Sequence, residues 1–315
     1  MAHTISDTTI DGFPAVVLSS GSLDAAFAPG VGMIGCSLRH GGEELLGQRN
    51  GLRAYADTGS SMGIPLLHPW ANRLDGLRYP ARGGDTVRLD PERSPLRLDA
   101  NGLPIHGVLA ASPHWTVVER AATGEAAVLV ALLDFGARPE LLEAFPFPHV
   151  VTVTVTLENT RLTIRTALRA TGVMPLPVAF GYHPYLRLPG LERARWQVAL
   201  PVRERALLDE RGIPTGRTEA PAFTGGELGE VDLDDLYPAL DEHPRFGLEG
   251  GGRRIEVAFE EGYPVAQVYG GPADEFICFE PMTAPTNALV TGDGLRHVEP
   301  GGGFEASFAI SVAEV

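Results

Sequence analysis

From residue 149 to 170 the chain alternates so regularly that it constrains everything around it. Val151, Val153, Val155 and Leu157 fall on one side of an extended segment, and Thr152, Thr154, Thr156 and Glu158 on the other. After Asn159-Thr160, which reads as a turn, Leu162, Ile164, Thr166 and Leu168 alternate with Thr163, Arg165 and Arg169. A helix would scatter those apolar side chains around its axis, whereas two antiparallel strands gather them on one dry face and leave the other wet.

The same short-strand grammar recurs along the chain. Strands are expected at 15–20, 23–28, 33–39, 115–120, 126–135, 196–200, 255–259, 265–269, 276–280 and 304–312. One or two turns of helix are expected at 139–144. The punctuation is heavy, with 38 Gly and 26 Pro, and 82–100 and 209–230 read as long connections. There is no internal repeat and no composition break that marks a linker, so residues 1–315 read as one domain. The fold class predicted is all-β, a large antiparallel β-sandwich.

Charge narrows the partners. The formal net charge is −15, and the 25 basic residues are all Arg. Such a surface repels phosphate backbones, which argues against nucleic acid as a partner. No apolar run reaches the length of a membrane span, and the first fourteen residues lack a basic start and an apolar stretch, so a cytoplasmic location is the expectation. Cys36 and Cys278 are far apart in apolar surroundings and read as buried free thiols.

Five stretches carry functional side chains where a sandwich needs only turns or plain strand. In Gly181-Tyr182-His183-Pro184-Tyr185, Pro184 forces His183 into an extended conformation, so the imidazole projects from a strand or strand end. The bland alternative is a histidine packed inside a sheet. The run from Gly63 to Leu74 ends in Asn72-Arg73-Leu74. A turn there would aim an amide and a guanidinium at the same hydroxyls, while a plain surface loop would pair Arg73 with Asp75. His106 precedes Gly107, which leaves space for something to approach the imidazole. Gln267 and Tyr269 share one face of a strand. Glu280, at the end of an apolar strand and followed by Pro281, lies on the side of Cys278; partial burial would tune it toward a base, though a salt bridge to an arginine is the simpler use.

Taken together, Asn72-Arg73, Pro104-Ile105-His106-Gly107, the Gly181 to Tyr185 block, Gln267-Val268-Tyr269 and Glu280 with Asn287 resemble the aldose 1-epimerase (galactose mutarotase) family, in matching order over roughly residues 30–310. Leu233-Asp234-Asp235-Leu236-Tyr237 looks like that family's aspartate segment. Its spacing selects Asp234, with Asp235 as the alternative. Tyr185 stands where the family's block usually has Phe, and the later motifs are closely spaced, as if loops had been trimmed.

The resemblance implies a galactose mutarotase-like β-sandwich that binds a monosaccharide, a glucose- or galactose-like aldose, and interconverts its α and β anomers without a cofactor or metal. It implies Glu280 as the base on the C1 hydroxyl and His183, protonated beforehand, as the acid on the ring oxygen. It implies that Asn72, Arg73, His106, Asp234 and Gln267 hold the substrate. Three rival readings follow from the same residues. A sugar-binding or regulatory module would need neither acid nor base. A hexose-phosphate mutarotase would need several arginines converging on the cleft, for which Arg39, Arg78 and Arg296 are available. A glycosidase would need two flanking carboxylates, such as Glu280 with Asp234.

Overall fold

The computed structural model describes residues 2–81 and 84–315. Met1, and Arg82 and Gly83 at the head of the connection expected from residue 82, lie outside the described residues. The expected hairpin forms as His149–Glu158 and Arg161–Ala170, in antiparallel register with Val155 opposite Ile164. Asn159, in the turn between them, takes φ 51°, a left-handed conformation that asparagine tolerates better than most residues.

That hairpin lies within a nine-stranded sheet, ordered Gly225–Glu227, Gln197–Ala199, Arg245–Gly250, Arg253–Glu261, Gly303–Glu314, Arg161–Ala170, His149–Glu158, Ala127–Asp134 and Thr116–Ala122. A second sheet runs Leu233–Tyr237, Val265–Gly270, Ile277–Met282, Gly181–Tyr182 and Leu66–Leu67, with Tyr185–Leu186 also paired to Ile277–Met282. The two sheets meet face to face through one apolar core. Tyr182 and Phe308 bring their ring centroids to 5.0 Å and Phe246 and Phe279 to 5.4 Å, while the Tyr182 and Thr166 hydroxyls hydrogen-bond across the layers at 2.7 Å. Each such buried ring contributes roughly 1.5–3 kcal/mol, so the pairing of these two sheets is the main source of cohesion. A third sheet, Thr4–Ile10, Phe13–Ser19, Leu23–Ala28, Ile34–His40 and Glu43–Glu44, closes over a smaller cluster that includes Leu52 and Tyr55 of the helix Gly51–Thr58.

The protein is therefore mostly strand, antiparallel and layered, as the alternation requires. The helix expected at 139–144 appears as Pro139–Leu142, with Pro139 at its first turn where a missing N–H costs nothing. Helix Gly51–Thr58 and strands Thr4–Ile10, Val202–Leu208 and Arg245–Gly250 are additions to the expected set. Part of the expected 209–230 connection is also paired, as Pro214–Glu219 and Gly225–Glu227. Cys36 and Cys278 are both free and buried. Among the described residues no helix is long and apolar enough to cross a membrane.

Strand alternation in the second sheet is what makes a site. Ala266, Val268, Ile277 and Phe279 point into the core, so Gln267, Tyr269, Cys278 and Glu280 must point away from it. The outer face of this sheet is the floor of a cavity.

Candidate active site

Register brings the floor together. Gln267 is directly opposite Glu280, and Asp234 directly opposite Tyr269. Gly181 pairs with Met282 and Tyr185 with Cys278, so His183, on the link between them, comes level with Glu280. The result is a direct contact: His183 Nε2 lies 3.3 Å from Glu280 Oε1, both side chains almost wholly buried. The His183 backbone N–H donates to the Pro65 carbonyl, and its ring stacks on Tyr185 with centroids 4.4 Å apart and planes only 10° from parallel. With its backbone anchored and its ring stacked, the imidazole is held in place.

The walls come from irregular segments. Asn72 has φ 53°, and this left-handed step turns the chain so that Asn72 and Arg73 both face the cavity although they are adjacent in sequence. Arg73 donates through Nη1 to Asn72 Oδ1 at 3.0 Å and through Nε to Asp99 Oδ2 at 2.8 Å. Its ion partner is Asp99, not Asp75. The Asp75 N–H instead donates to the Asn287 side chain, and the Asn287 N–H to the Arg73 carbonyl, so Asn287 props this turn from behind. Burial works against the Asp99 charge, but N–H donors from Leu103 and Asn101 and the Arg73 guanidinium hold its carboxyl below the ordinary value.

His106 also sits at positive φ, 62°, and its ring meets His183 edge-on at 5.7 Å. The role expected for Gly107 needs correcting. What approaches it is backbone: a Cβ there would lie 2.1 Å from the His68 carbonyl oxygen, and Gly107 itself has φ 70°. Glycine is required so that two chain segments can cross, which in turn fixes where His106 points.

The two candidate aspartates are placed differently. Asp234 Oδ1 accepts from Gln267 Nε2 at 2.6 Å and lines the cavity, while Asp235 turns away to Arg205 at 2.9 Å and the Tyr237 hydroxyl at 3.3 Å. All seven residues singled out in the sequence, Asn72, Arg73, His106, His183, Asp234, Gln267 and Glu280, thus line one cavity of about 330 Å³. Arg49, Arg97, Asp99, Ser60 and Ser61 line it too and were not singled out. Arg39, Arg78 and Arg296, the arginines considered for a phosphate, do not. His68 lies elsewhere, with Nε2 2.8 Å from His149 Nε2. Among the described residues no cluster of three or more His, Cys, Asp or Glu side chains is arranged to hold a metal ion.

Electrostatics at the floor differ from the simple expectation of a carboxylate facing an imidazolium. Burial drives His183 down to about 3, assisted by the Arg49 charge. Burial also pushes Glu280 well above its ordinary value, reinforced by Asp234 and opposed by Arg73. The contact has the geometry of an ion pair, yet desolvation favours its neutral form, in which an uncharged imidazole faces a protonated carboxyl and the two share one proton. Asp234 is raised as well, chiefly by burial, and His106 is held well below the ordinary imidazole value, again chiefly by burial. Among the described residues, three buried polar atoms on side chains that line the cavity have no protein partner: His106 Nδ1, His183 Nδ1 and Gln267 Oε1. A carboxyl, an imidazole, amides and a guanidinium therefore line one small polar space, an arrangement suited to moving protons on a polyhydroxylated molecule.

Comparison with known proteins bears on the fold and the family. The uncharacterized protein YihR of Escherichia coli K12 is 24% identical over 259 residues, 76% of this chain and 77% of its own. A galactose mutarotase-like protein from Clostridium acetobutylicum superposes with a TM-score of 0.88 at 18% identity, covering 100% of this chain and 99% of that one. The galactose 1-epimerase of Lactobacillus acidophilus NCFM superposes at 0.79 and 15% identity, covering 99% and 98%. At those identities the two structures speak to the fold. A family model described as aldose 1-epimerase matches residues 36–311, a span that holds every residue of the cavity just described, and the chain belongs to the aldose 1-epimerase family.

Proposed function

We propose that the protein is an aldose 1-epimerase, an isomerase that interconverts the α and β anomers of an aldohexose by opening and re-closing the ring. The observation that carries this reading is the 3.3 Å contact between His183 and Glu280 on the floor of a polar cavity. Ring opening takes a proton from the C1 hydroxyl and gives one to the ring oxygen. Both oxygens are bonded to C1, so one base and one acid within reach of that carbon suffice, and these two are neighbours on the cavity floor.

The shared proton makes the cycle balance. The pair enters the reaction in its charged form, with the proton on His183. Glu280 takes the O1 proton while His183 delivers its own to the ring oxygen, and the C1–ring-oxygen bond breaks to leave an aldehyde. The pair is then neutral, the form that burial favours, so desolvation assists the ring-opening step. Rotation of the aldehyde about the C1–C2 bond presents its other face. The freed hydroxyl attacks C1, Glu280 returns a proton to O1, His183 recovers one from the former ring oxygen, and the opposite anomer leaves. Before the first turnover the proton must cross from Oε1 to Nε2, and substrate hydroxyls that solvate the charged form make that transfer easier.

Asn72, Arg73, His106, Asp234 and Gln267 hold the remaining hydroxyls in this reading. A firm grip on the distal hydroxyls and a loose one on C1 suit a reaction in which C1 must turn over. The test is polarimetric: freshly dissolved α-glucose or α-galactose should reach anomeric equilibrium faster with the protein than without it. Unchanged curves across a panel of aldoses would refute the proposal.

A further inference from the structure

Among the described residues three arginines line the cavity, and one of them has a carboxylate partner. Arg73 has Asp99 at 2.8 Å. Among the described residues Arg49 and Arg97 have no carboxylate within ion-pair distance, in a chain with 40 acidic residues against 25 basic ones. Arg49 donates to a neutral phenol, Tyr185 Oη at 3.4 Å, and lies over the Tyr185 and Phe276 rings at 5.7 and 5.6 Å. The cavity's own acids are engaged elsewhere: Asp99 with Arg73, Asp234 with Gln267, Glu280 with His183.

Both arginines lie beside the segment 59–61. Asn50, next to Arg49, bonds the Ser60 hydroxyl at 3.1 Å, and Gly59 packs so closely on Arg97 that a Cβ there would lie 2.8 Å from its Nε. Ser60 and Ser61 line the cavity and add hydroxyl donors. Neutral sugar hydroxyls would leave two cations uncompensated as water is displaced, whereas an oxyanion accepts from both forks at once.

We propose, building on the epimerase reading, that the sugar this cavity takes carries an anionic substituent, a carboxylate or a phosphate, held between Arg49 and Arg97 with the Ser60 and Ser61 hydroxyls. The arginines differ from those considered in the sequence because loops, and not the sheet, bring them to the rim.

The experiment compares glucose, glucose 6-phosphate and glucuronate by polarimetry, corrected for uncatalysed rates, with calorimetric binding measured in parallel. At least one anionic sugar should exceed glucose in kcat/KM by tenfold or more, and the arm that wins identifies phosphate or carboxylate. Arg97→Gln and Arg49→Gln should each reduce that ratio by about tenfold, Arg97→Lys less, with thermal unfolding confirming that the variants are folded. A wild-type ratio near one, or a ratio that Arg97→Gln leaves intact, overturns the proposal. Should no sugar turn over, the epimerase reading falls by itself. The anion site then stands if anionic sugars bind at least tenfold tighter than glucose and lose that advantage in Arg97→Gln, and falls if they do not.

Discussion

Replacing Glu280 with Gln tests the centre of the mechanism because it keeps shape and removes one function. The amide occupies the same volume beside His183 and can still hydrogen-bond Nε2, but it cannot accept the O1 proton. Loss of one positioned base costs about 10²- to 10⁴-fold in rate, or roughly 3–5 kcal/mol of barrier. The same change alters stability in a direction set by burial. The Glu280 pKa in the folded protein lies well above its ordinary value near 4.5. Its contribution to stability is therefore complete below about pH 4.5 and is lost as pH rises through the folded value. Gln has no such loss. Glu280→Gln should thus show near-zero catalysis by polarimetry together with a Tm that gains on the wild type as pH rises from 5 to 9. A variant that equilibrates α-glucose at the wild-type rate would place the base elsewhere, and a Tm difference flat with pH would contradict the buried, proton-holding carboxyl.

Four further outcomes follow from the same coordinates. His183→Gln should lose about 10²- to 10⁴-fold, and the double variant with Glu280→Gln should be barely worse than either single one, because the pair acts as a unit. Asp99→Asn should release Arg73 and raise KM by about tenfold, a loss typical of one charge-assisted contact, with a smaller effect on kcat. His149, held by burial at about 4 against an ordinary 6.5, contributes stability that is present above pH 6.5 and lost as pH falls toward 4; the loss is about 3 kcal/mol and should shrink in His149→Gln when urea unfolding is compared at pH 7 and 4.5. Gly107→Ala should lower Tm sharply, since positive φ alone costs about 1–2 kcal/mol and the His68 carbonyl leaves no room for a methyl group.

The sheet framework was legible where one face is buried and the other wet, as in Val151 to Leu157, because period-two alternation has no helical equivalent. It was illegible where neither face is buried. Thr4–Ile10 and Pro214–Glu219 are largely exposed, so no apolar rhythm marks them. Helix Gly51–Thr58 buries only Leu52 and Tyr55, too few to declare a helical period. The floor of the site could be read because proline-flanked His183 and Glu280 are unusual ends for apolar strands. Arg49 and Arg97 could not, since an arginine in a loop looks the same whether it faces solvent or a cavity. Asp99 followed by Asn101 and Leu103 is an ordinary turn sequence, and only coordinates show that the turn's N–H groups aim its carboxylate at Arg73. The protonation of the His183–Glu280 pair was also beyond reach, because it depends on depth of burial.

The shared backbone of floor and core has a cost in adaptability. Phe279 and Glu280 are neighbours on one strand, as are Val268 and Gln267, so a change of volume behind the sheet is felt by a cavity-floor side chain in front of it. A smaller residue at Phe279 would leave a cavity directly behind Glu280. New specificities in this architecture should therefore arise by remodelling the loops that carry Arg49 and Arg97, which can drift without disturbing Glu280 and His183 on the floor beneath them.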